Sequence, residues 1–180
     1  MNIFILGSSP SLSARGLCDQ HVRSKMIIES AQMLANVFSL EQLSHPFCPR
    51  TQKGLTRKHG YRNHPCTKWV RERKDNARWL IDHTLSMSVE RYYRWPESES
   101  HFTMRFIYWC ENNLAKGYFS EQKEGLSPFA VAINSESKCR SVKGFEDRST
   151  VEKYRLYYRY DKPFATWTKQ KKPAWMDIDY

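Results

Sequence analysis

Acidic and basic side chains recur at four-residue intervals within RGLCDQHVRSKMIIESAQMLANVF, residues 15–38, at His21, Lys25 and Glu29. A carboxylate that stays ionised beside cations can stabilise a positively charged transition state. A deprotonated lysine is an amine nucleophile, and a histidine can transfer protons. The pattern therefore makes Glu29, His21 and Lys25 candidate catalytic residues. A solvated helix face with one Lys25–Glu29 pair has the same spacing, so both interpretations stand.

An apolar stripe at helical period predicts that residues 15–38 form one helix. A helical wheel at about 100° per residue places His21, Lys25 and Glu29 together on the opposite, outward arc, with Gln32 and Asn36. We therefore expect the candidate catalytic side chains to face away from the core. The stripe that should be buried comprises Met26, Ile27, Met33, Leu34, Val37 and Phe38.

Three further helices are predicted. Asn63-His64-Pro65 is typical of a cap followed by a first helical turn, and the helix it begins should run to about Arg94. Its predicted inner face includes Trp69, Val70, Ala77, Leu80, Ile81, Thr84 and either Met87 or Ser88. The next helix is expected over 104–116, ended by Gly117, and the last begins near Ser149.

The remaining segments are expected to be irregular or extended. The opening NIFIL predicts a short buried extended segment, FAVAI at 129–133 a short strand, and residues 45–65 a loop. We therefore expect a mainly α protein with a single compact domain over 1–180. Residues 1–160 would form its core of about four helices and residues 161–180 an irregular basic and aromatic tail.

Positive charge predicts a polyanionic partner. The chain has 29 Lys and Arg against 19 Asp and Glu, a net charge of +10. Two segments, 50–78 and 138–172, concentrate the charge and interleave it with aromatic residues, an arrangement typical of DNA binding that RNA would also satisfy. The first contains His64 with Lys68 and Arg71 at a predicted helix N-terminus, which is a phosphate seat or a simple cap. The expected nucleic-acid contacts are Arg23, Arg57, Lys58, Arg62, His64, Lys68, Arg71, Trp167, Lys169, Lys171 and Lys172.

Several other classes of protein lack support in the sequence. His45, Cys48, His59, His64 and Cys66 offer metal ligands, but their spacing matches no standard zinc motif, so we predict neither a metal nor a cofactor. The five cysteines are scattered, as expected for reduced thiols. There is no GxSxG, HExxH or Gly-rich phosphate loop. MNIFILGSSP is neither a signal peptide nor a membrane span, which predicts a cytoplasmic protein with no membrane partner.

Four blocks of sequence resemble a family of uncharacterised tailed-phage proteins. They are MNIFIL, CDQHV-x3-MIIESAQML, NHPCTKWVRE-x3-N-x2-WL and YRLYY-x4-PFATWTK-x3-PAWM. The resemblance implies a host-cell cytoplasmic location and carries no activity of its own.

A weaker similarity points to a reaction. Asp-Gln-His, then a Glu, then a His that opens the next helix, resembles the pyrimidine-dimer DNA glycosylase family, the phage endonuclease V family. That family breaks the N-glycosidic bond of a damaged pyrimidine with an N-terminal amine and a helix-borne Glu. The resemblance implies that Glu29 is this carboxylate, with His21, Arg23 and Lys25 around the sugar or phosphate.

The sequence departs from the family's pattern at two points. Asp19 to Glu29 is one residue longer than the pattern, which implies a local bulge or a different carboxylate geometry. Asn2 is bulky enough that Met1 is expected to stay, so the nucleophile would be the Met1 α-amine or Lys25. A terminus buried with NIFIL would exclude the first. The alternatives to a glycosylase are a non-catalytic DNA-binding protein and an enzyme that modifies a DNA base without breaking the backbone.

Overall fold

Seven α-helices pack around an apolar core in the computed structural model, which describes residues 1–178. They are α1 (Pro10–Gly16), α2 (Met26–Leu34), α3 (Leu40–Ser44), α4 (Pro65–Glu72), α5 (Lys74–Arg94), α6 (Met104–Asn113) and α7 (Thr150–Asp161). No strand occurs in this part of the chain. The predicted mainly α fold is therefore confirmed. None of the helices formed by residues 1–178 is both long and apolar enough to cross a bilayer.

The prediction of one helix over 15–38 is wrong in detail. Ser9 caps α1 by accepting from the Leu12 amide, Pro10 occupies its first turn, and the extended backbone of Leu17 (ψ 140°) ends it. Packing explains the early start and stop, because a Cβ added at Gly16 would lie 2.9 Å from Leu6 Cβ. α1 is thus fixed against the N-terminal segment, and the chain must turn before it continues. The apolar period of the sequence gives no information on this contact.

A π-helical turn, His21–Lys25, leads into α2. A π turn inserts one extra residue, so the residues before it are rotated by about 100° relative to a continuous α-helix. The predicted outward position of His21 is therefore wrong, since its side chain is 1% exposed. Asn36, assigned to the same arc, is also buried, whereas Lys25 and Gln32 are exposed. The six residues of the predicted apolar stripe are all buried, as expected.

The predicted helix from Pro65 to Arg94 is two helices, because Arg73 is extended (φ −134°, ψ 151°). The carbonyl groups at the end of α4 find distant partners. Asn76 Nδ2 donates to Trp69 O (2.8 Å), and the amides of Ser120 and Glu121 donate to Arg71 O and Glu72 O. The helix can therefore break without leaving these acceptors unpaired. The six residues from Trp69 to Thr84 that were predicted for the inner face are buried as expected, and of the two alternatives Met87 is buried and Ser88 is partly exposed.

The later elements agree with the sequence except at 129–133. α6 continues as a 3-10 turn to Lys116 before Gly117, and α7 begins after a capping box of Ser149 and Glu152. The prediction of a strand at 129–133 is wrong, because the backbone of Ala132 bonds to the side chains of Asn2 and Tyr154 instead of to a neighbouring strand. The tail is irregular from 162 to 173 and forms a 3-10 turn at Ala174–Met176. Positions 179 and 180 of the predicted tail lie outside the described residues.

Candidate active site

The N-terminal segment leads through the core to the candidate site. Residues 2–7 are buried, and they form neither helix nor turn up to Leu6, as the NIFIL pattern predicts. At one end Met1 lies between α2 and α4, and at the other Gly7 exchanges hydrogen bonds with the Ser13 hydroxyl of α1. The burial of this segment fixes where the chain terminus lies.

The Glu29 carboxylate contacts the first two residues of the chain. Its Oε2 accepts the Asn2 amide at 2.9 Å, and its Oε1 lies 3.8 Å from the Met1 α-amine. The side chain of Glu29 is 15% exposed. One carboxylate thus holds a backbone N–H with one oxygen and faces a primary amine with the other.

The Met1 side chain is anchored while its backbone end reaches solvent. Thr67 Oγ1, on α4, lies 3.5 Å from the Met1 sulfur, and the side chain is only 3% exposed. The residue as a whole is half-buried, so its exposed surface is mainly backbone. NIFIL itself is buried, whereas Met1 before it keeps part of its surface exposed.

The Asn2 side chain is held on three sides. Its Oδ1 accepts from the Tyr154 hydroxyl of α7 (2.7 Å) and from the Ile3 amide (2.8 Å), and its Nδ2 donates to Ala132 O (3.0 Å). Tyr154 is fully buried. Because buried polar groups that are fully paired have one preferred arrangement, this network fixes the backbone one bond away from the amine.

His64 lies within electrostatic reach of the amine and the carboxylate. It is the N-cap of α4, where its Nδ1 accepts from the Cys66 amide (3.2 Å). Burial lowers the pKa of His64, and the Met1 ammonium adds to this effect, while Glu29 opposes it. A neutral imidazole within reach of the amine is free to accept a proton from it.

The structure does not bring all three candidate catalytic residues together. His21 is stacked on Phe4 (4.6 Å between ring centroids) and pairs through Nδ1 with the hydroxyl of buried Tyr158. Burial, followed by the charges of Lys25 and Lys162, lowers the pKa of His21 to about 3. Lys25 is exposed on the π turn. Glu29 alone of the three contacts the chain terminus.

The basic residues predicted from the segment 50–78 differ in their surroundings. Arg57 is half-buried over the Phe106 ring (4.0 Å) and donates to Pro49 O, so it supports the loop. Arg62 pairs with His59, and Arg71 donates to Arg62 O. Lys58 and Lys68 are exposed. Arg23 is also exposed and lies over the Trp95 ring.

A cavity of about 620 Å³ opens between α2, the turn that follows it and the loop 51–61. Gln32 on its wall is three residues after Glu29 and so lies on nearly the same side of α2. Lys58 and Tyr61 form part of the opposite wall. Tyr61 is 67% exposed and has a left-handed backbone (φ 52°), which is costly for a residue with a side chain.

The tail residues predicted to contact nucleic acid lie elsewhere. Trp167 is buried and donates through Nε1 to Gly16 O (3.1 Å), so it anchors the tail. Lys169, Lys171 and Lys172 line a second cavity with Leu6, at the far end of the N-terminal segment from Met1. The two basic segments are therefore not one continuous site.

The histidines and cysteines of the 45–66 region also separate. His59 pairs with Phe38 O, Cys66 with Asn2 Oδ1, and His64 caps α4. Within residues 1–178 no group of three or more His, Cys, Asp or Glu side chains is placed to hold a metal ion. Sequence analysis did not identify Asn2, Thr67 or Tyr154 as part of the site, since buried polar residues of this kind have no spacing signal.

Comparison with known proteins adds one match. A family model described as pyrimidine dimer DNA glycosylase matches residues 1–100, which include Met1, Glu29 and His64. No curated protein and no solved structure matches the chain.

Proposed function

The chain belongs to the pyrimidine dimer DNA glycosylase family, whose model covers more than half of its length, and from this we propose a reaction and the residues that perform it. The protein cleaves the N-glycosidic bond of a damaged pyrimidine in DNA. The observation that carries the proposal is the Glu29 carboxylate, which faces the Met1 α-amine at 3.8 Å and accepts the Asn2 amide at 2.9 Å.

The nucleophile is the α-amine of Met1, in a chain that starts at this residue. Once deprotonated, its lone pair attacks C1′ of the deoxyribose; the N–C1′ bond forms as the glycosidic bond breaks and the base leaves with the electron pair. The attached nitrogen then loses its second proton, and its lone pair forms the C=N bond of a protonated imine as the C1′–O4′ bond breaks and O4′ takes up a proton. Borohydride reduces this imine to a stable secondary amine.

Glu29 stabilises the positive charge that develops on the sugar. Its Oε2 is held by the Asn2 N–H, and therefore the carboxylate is oriented before the substrate arrives. Preorganised charge next to a developing oxocarbenium ion is effective because little reorganisation is needed. His64 is assigned the proton from the amine, and His21 a structural role in the core.

The cavity beside α2 receives an extruded nucleotide. Its volume of about 620 Å³ lies within the usual range for small-molecule sites, and Gln32 offers an amide to a base edge. Tyr61 at the rim stacks against the bases that remain in the duplex. Lys58 on the cavity wall contacts a phosphate, and Arg62, Lys68 and Arg71 of the same basic segment contact others.

The test is borohydride trapping on ultraviolet-irradiated and undamaged labelled duplexes. The wild type should form a covalent adduct with irradiated DNA. Glu29→Gln can still accept the Asn2 amide but has no charge, and it should lose at least about 100-fold in trapping rate, the scale of one preorganised electrostatic group. Glu41→Gln, an exposed glutamate on α3, is the matched control and should trap like the wild type.

Peptide mapping of the adduct identifies the nucleophile. Trypsin should place the DNA-derived mass on the peptide 1–15, whereas an adduct on a peptide that contains Lys25 would assign the lysine instead. Base release without any adduct would refute the amine mechanism. If Glu29→Gln and the wild type bind DNA alike and neither releases a base, the chain is a non-catalytic DNA-binding protein.

A further inference from the structure

A second cavity, larger than the one beside α2, lies away from the Met1–Glu29 contact. It has a volume of about 840 Å³ and is formed by α1, α7, the turn after Leu6 and the tail at 169–175. Because residues 2–7 are buried and connect the two places, the cavity opens at a different part of the surface from the candidate active site. We call it the tail cleft.

Five cations line the tail cleft, and no carboxylate of residues 1–178 does. They come from three separate parts of the chain: Arg15 from α1, Arg155 from α7, and Lys169, Lys171 and Lys172 from the tail. Lys172 also pairs with Asp177. Bringing like charges together is unfavourable, so their convergence points to an anionic ligand.

The tail is held firmly enough to place these lysines. Asp19 accepts from the Thr166 hydroxyl and from the Thr168 amide, and Trp167 donates to Gly16 O. Asp19 is itself paired with buried Arg94 (3.1 Å). The tail is therefore held against α1 by Trp167 and by Asp19, which is paired with the buried charge of Arg94. These contacts fix the position of the lysines that come next in the sequence.

Two contacts orient individual walls of the cleft. Arg155 donates through Nε to Leu6 O (3.0 Å) and lies over the Trp175 ring, while its Nη groups make no hydrogen bond within residues 1–178. Lys169 has a left-handed backbone (φ 57°), and its carbonyl accepts from the Tyr93 hydroxyl (3.2 Å). An oriented guanidinium and a strained lysine in one cavity are typical of a binding site.

We propose that the tail cleft binds a nucleotide through its phosphate, at a site separate from the glycosylase centre. Arg155, Arg15 and the tail lysines hold the phosphate. Tyr93, which is 54% exposed on the wall, stacks against the base. The site goes beyond the proposed reaction and does not depend on it. The nucleotide comes either from a nucleic-acid strand or from a free mononucleotide.

The test measures binding of four probes to the full chain by isothermal titration calorimetry. They are 5′-phosphorylated trithymidylate, the same trinucleotide without the phosphate, thymidine monophosphate and inorganic phosphate. We expect the 5′-phosphate to strengthen trinucleotide binding at least tenfold. Lys169→Gln/Lys171→Gln and Arg155→Gln should each remove that gain, and Tyr93→Ala should weaken both nucleotides more than inorganic phosphate.

A double variant that loses the same charge elsewhere is the control. Lys74→Gln/Lys123→Gln removes two exposed lysines that lie outside both nucleotide sites and should change the affinities less than twofold. If Arg155→Gln does not fold because it loses the Leu6 contact, Lys169→Gln/Lys171→Gln still tests whether the tail cleft binds the phosphate. Equal losses in both double variants would show that only net charge acts, and would overturn the proposal.

The probes also identify the source of the nucleotide. Tight binding of thymidine monophosphate supports a free nucleotide, and binding of the phosphorylated trinucleotide alone supports a strand. Inorganic phosphate as tight as the nucleotides would overturn the assignment of Tyr93 and of a nucleotide. Glu29→Gln should leave all four affinities unchanged, so failure of the glycosylase reaction and failure of this site can be told apart.

Discussion

The buried tyrosine of α7 should control catalysis without contact with DNA. In Tyr154→Phe, Asn2 Oδ1 loses the donor at 2.7 Å and the Ala132 amide loses the acceptor at 3.0 Å. A buried hydrogen bond contributes about 1 kcal/mol and an unpaired buried partner costs about 1–3 kcal/mol. Asn2 keeps its bonds to Ile3 and Ala132, so we expect a loss of about 2 kcal/mol in the free energy of unfolding. For a chain of this length, that corresponds to about 4–8 °C in Tm.

The larger effect should be on the reaction. With the Asn2 side chain loosened, the adjacent amine can shift relative to Glu29, and a misplacement of about 1 Å costs about 100-fold in rate. The single-turnover trapping rate of Tyr154→Phe at 25 °C should therefore fall at least about tenfold, while its affinity for irradiated duplex stays within about twofold of the wild type.

Tyr160→Phe is the matched control, because Tyr160 lies on the same helix and is exposed. It should change neither Tm nor rate. The reasoning would be refuted if Tyr154→Phe trapped DNA at the wild-type rate, or if its rate and its DNA affinity fell by the same factor.

Two further predictions concern the terminus and the core. One glycine added before Met1 turns the attacking amine into an amide and moves the new amine by up to about 3.8 Å; trapping should fall at least about 100-fold, and a glycine added after Tyr180 should have no effect. Burial lowers the pKa of His21 to about 3 and that of His83 to about 4, so the unfolded chain takes up protons that the folded chain does not. The contribution of each histidine to the free energy of unfolding should be fully present above pH 6.5 and should decrease as the pH falls towards these pKa values. At pH 5 the decrease should be about 2 kcal/mol per histidine. Urea unfolding at pH 7 and pH 5 measures this loss of unfolding free energy, which should be about 2 kcal/mol smaller in His21→Phe than in the wild type and unchanged in His45→Gln.

Periodicity predicts the apolar stripe of a helix, because that stripe must face the core, but it placed buried His21 and Asn36 on the outer arc. The stripe on α2 and the inner face of α4 and α5 were both predicted correctly. The helix boundaries were not, since they depend on distant partners. Gly16 packs on Leu6, and Ser120 and Glu121 satisfy carbonyls of α4 from about fifty residues away. Tertiary contacts of this kind are not encoded in local spacing.

The candidate site divides in the same way. Glu29 could be identified from residue type and family resemblance, and Met1 from the chemistry that the resemblance implies. The hydrogen bonds that position the amine could not be predicted from the sequence, because Asn2 and Tyr154 are 152 residues apart. The tail cleft was missed for the same reason: the lysines were visible as a charged run, but Arg15 and Arg155 join them only through the fold.

The π turn between Asp19 and Glu29 affects the residues on both of its sides. A π turn contains one residue more than an α turn, which changes the angle between the residues before and after it by about 100°. With this turn in place, Asp19 holds the tail and Arg94 while Glu29 faces Met1. The same turn moves His21 from the outer arc into the core, where it pairs with Tyr158. π turns are frequent at functional sites because they keep both flanking helices in register with their partners. The bulge therefore keeps Glu29 at the chain terminus and at the same time gives His21 a structural position.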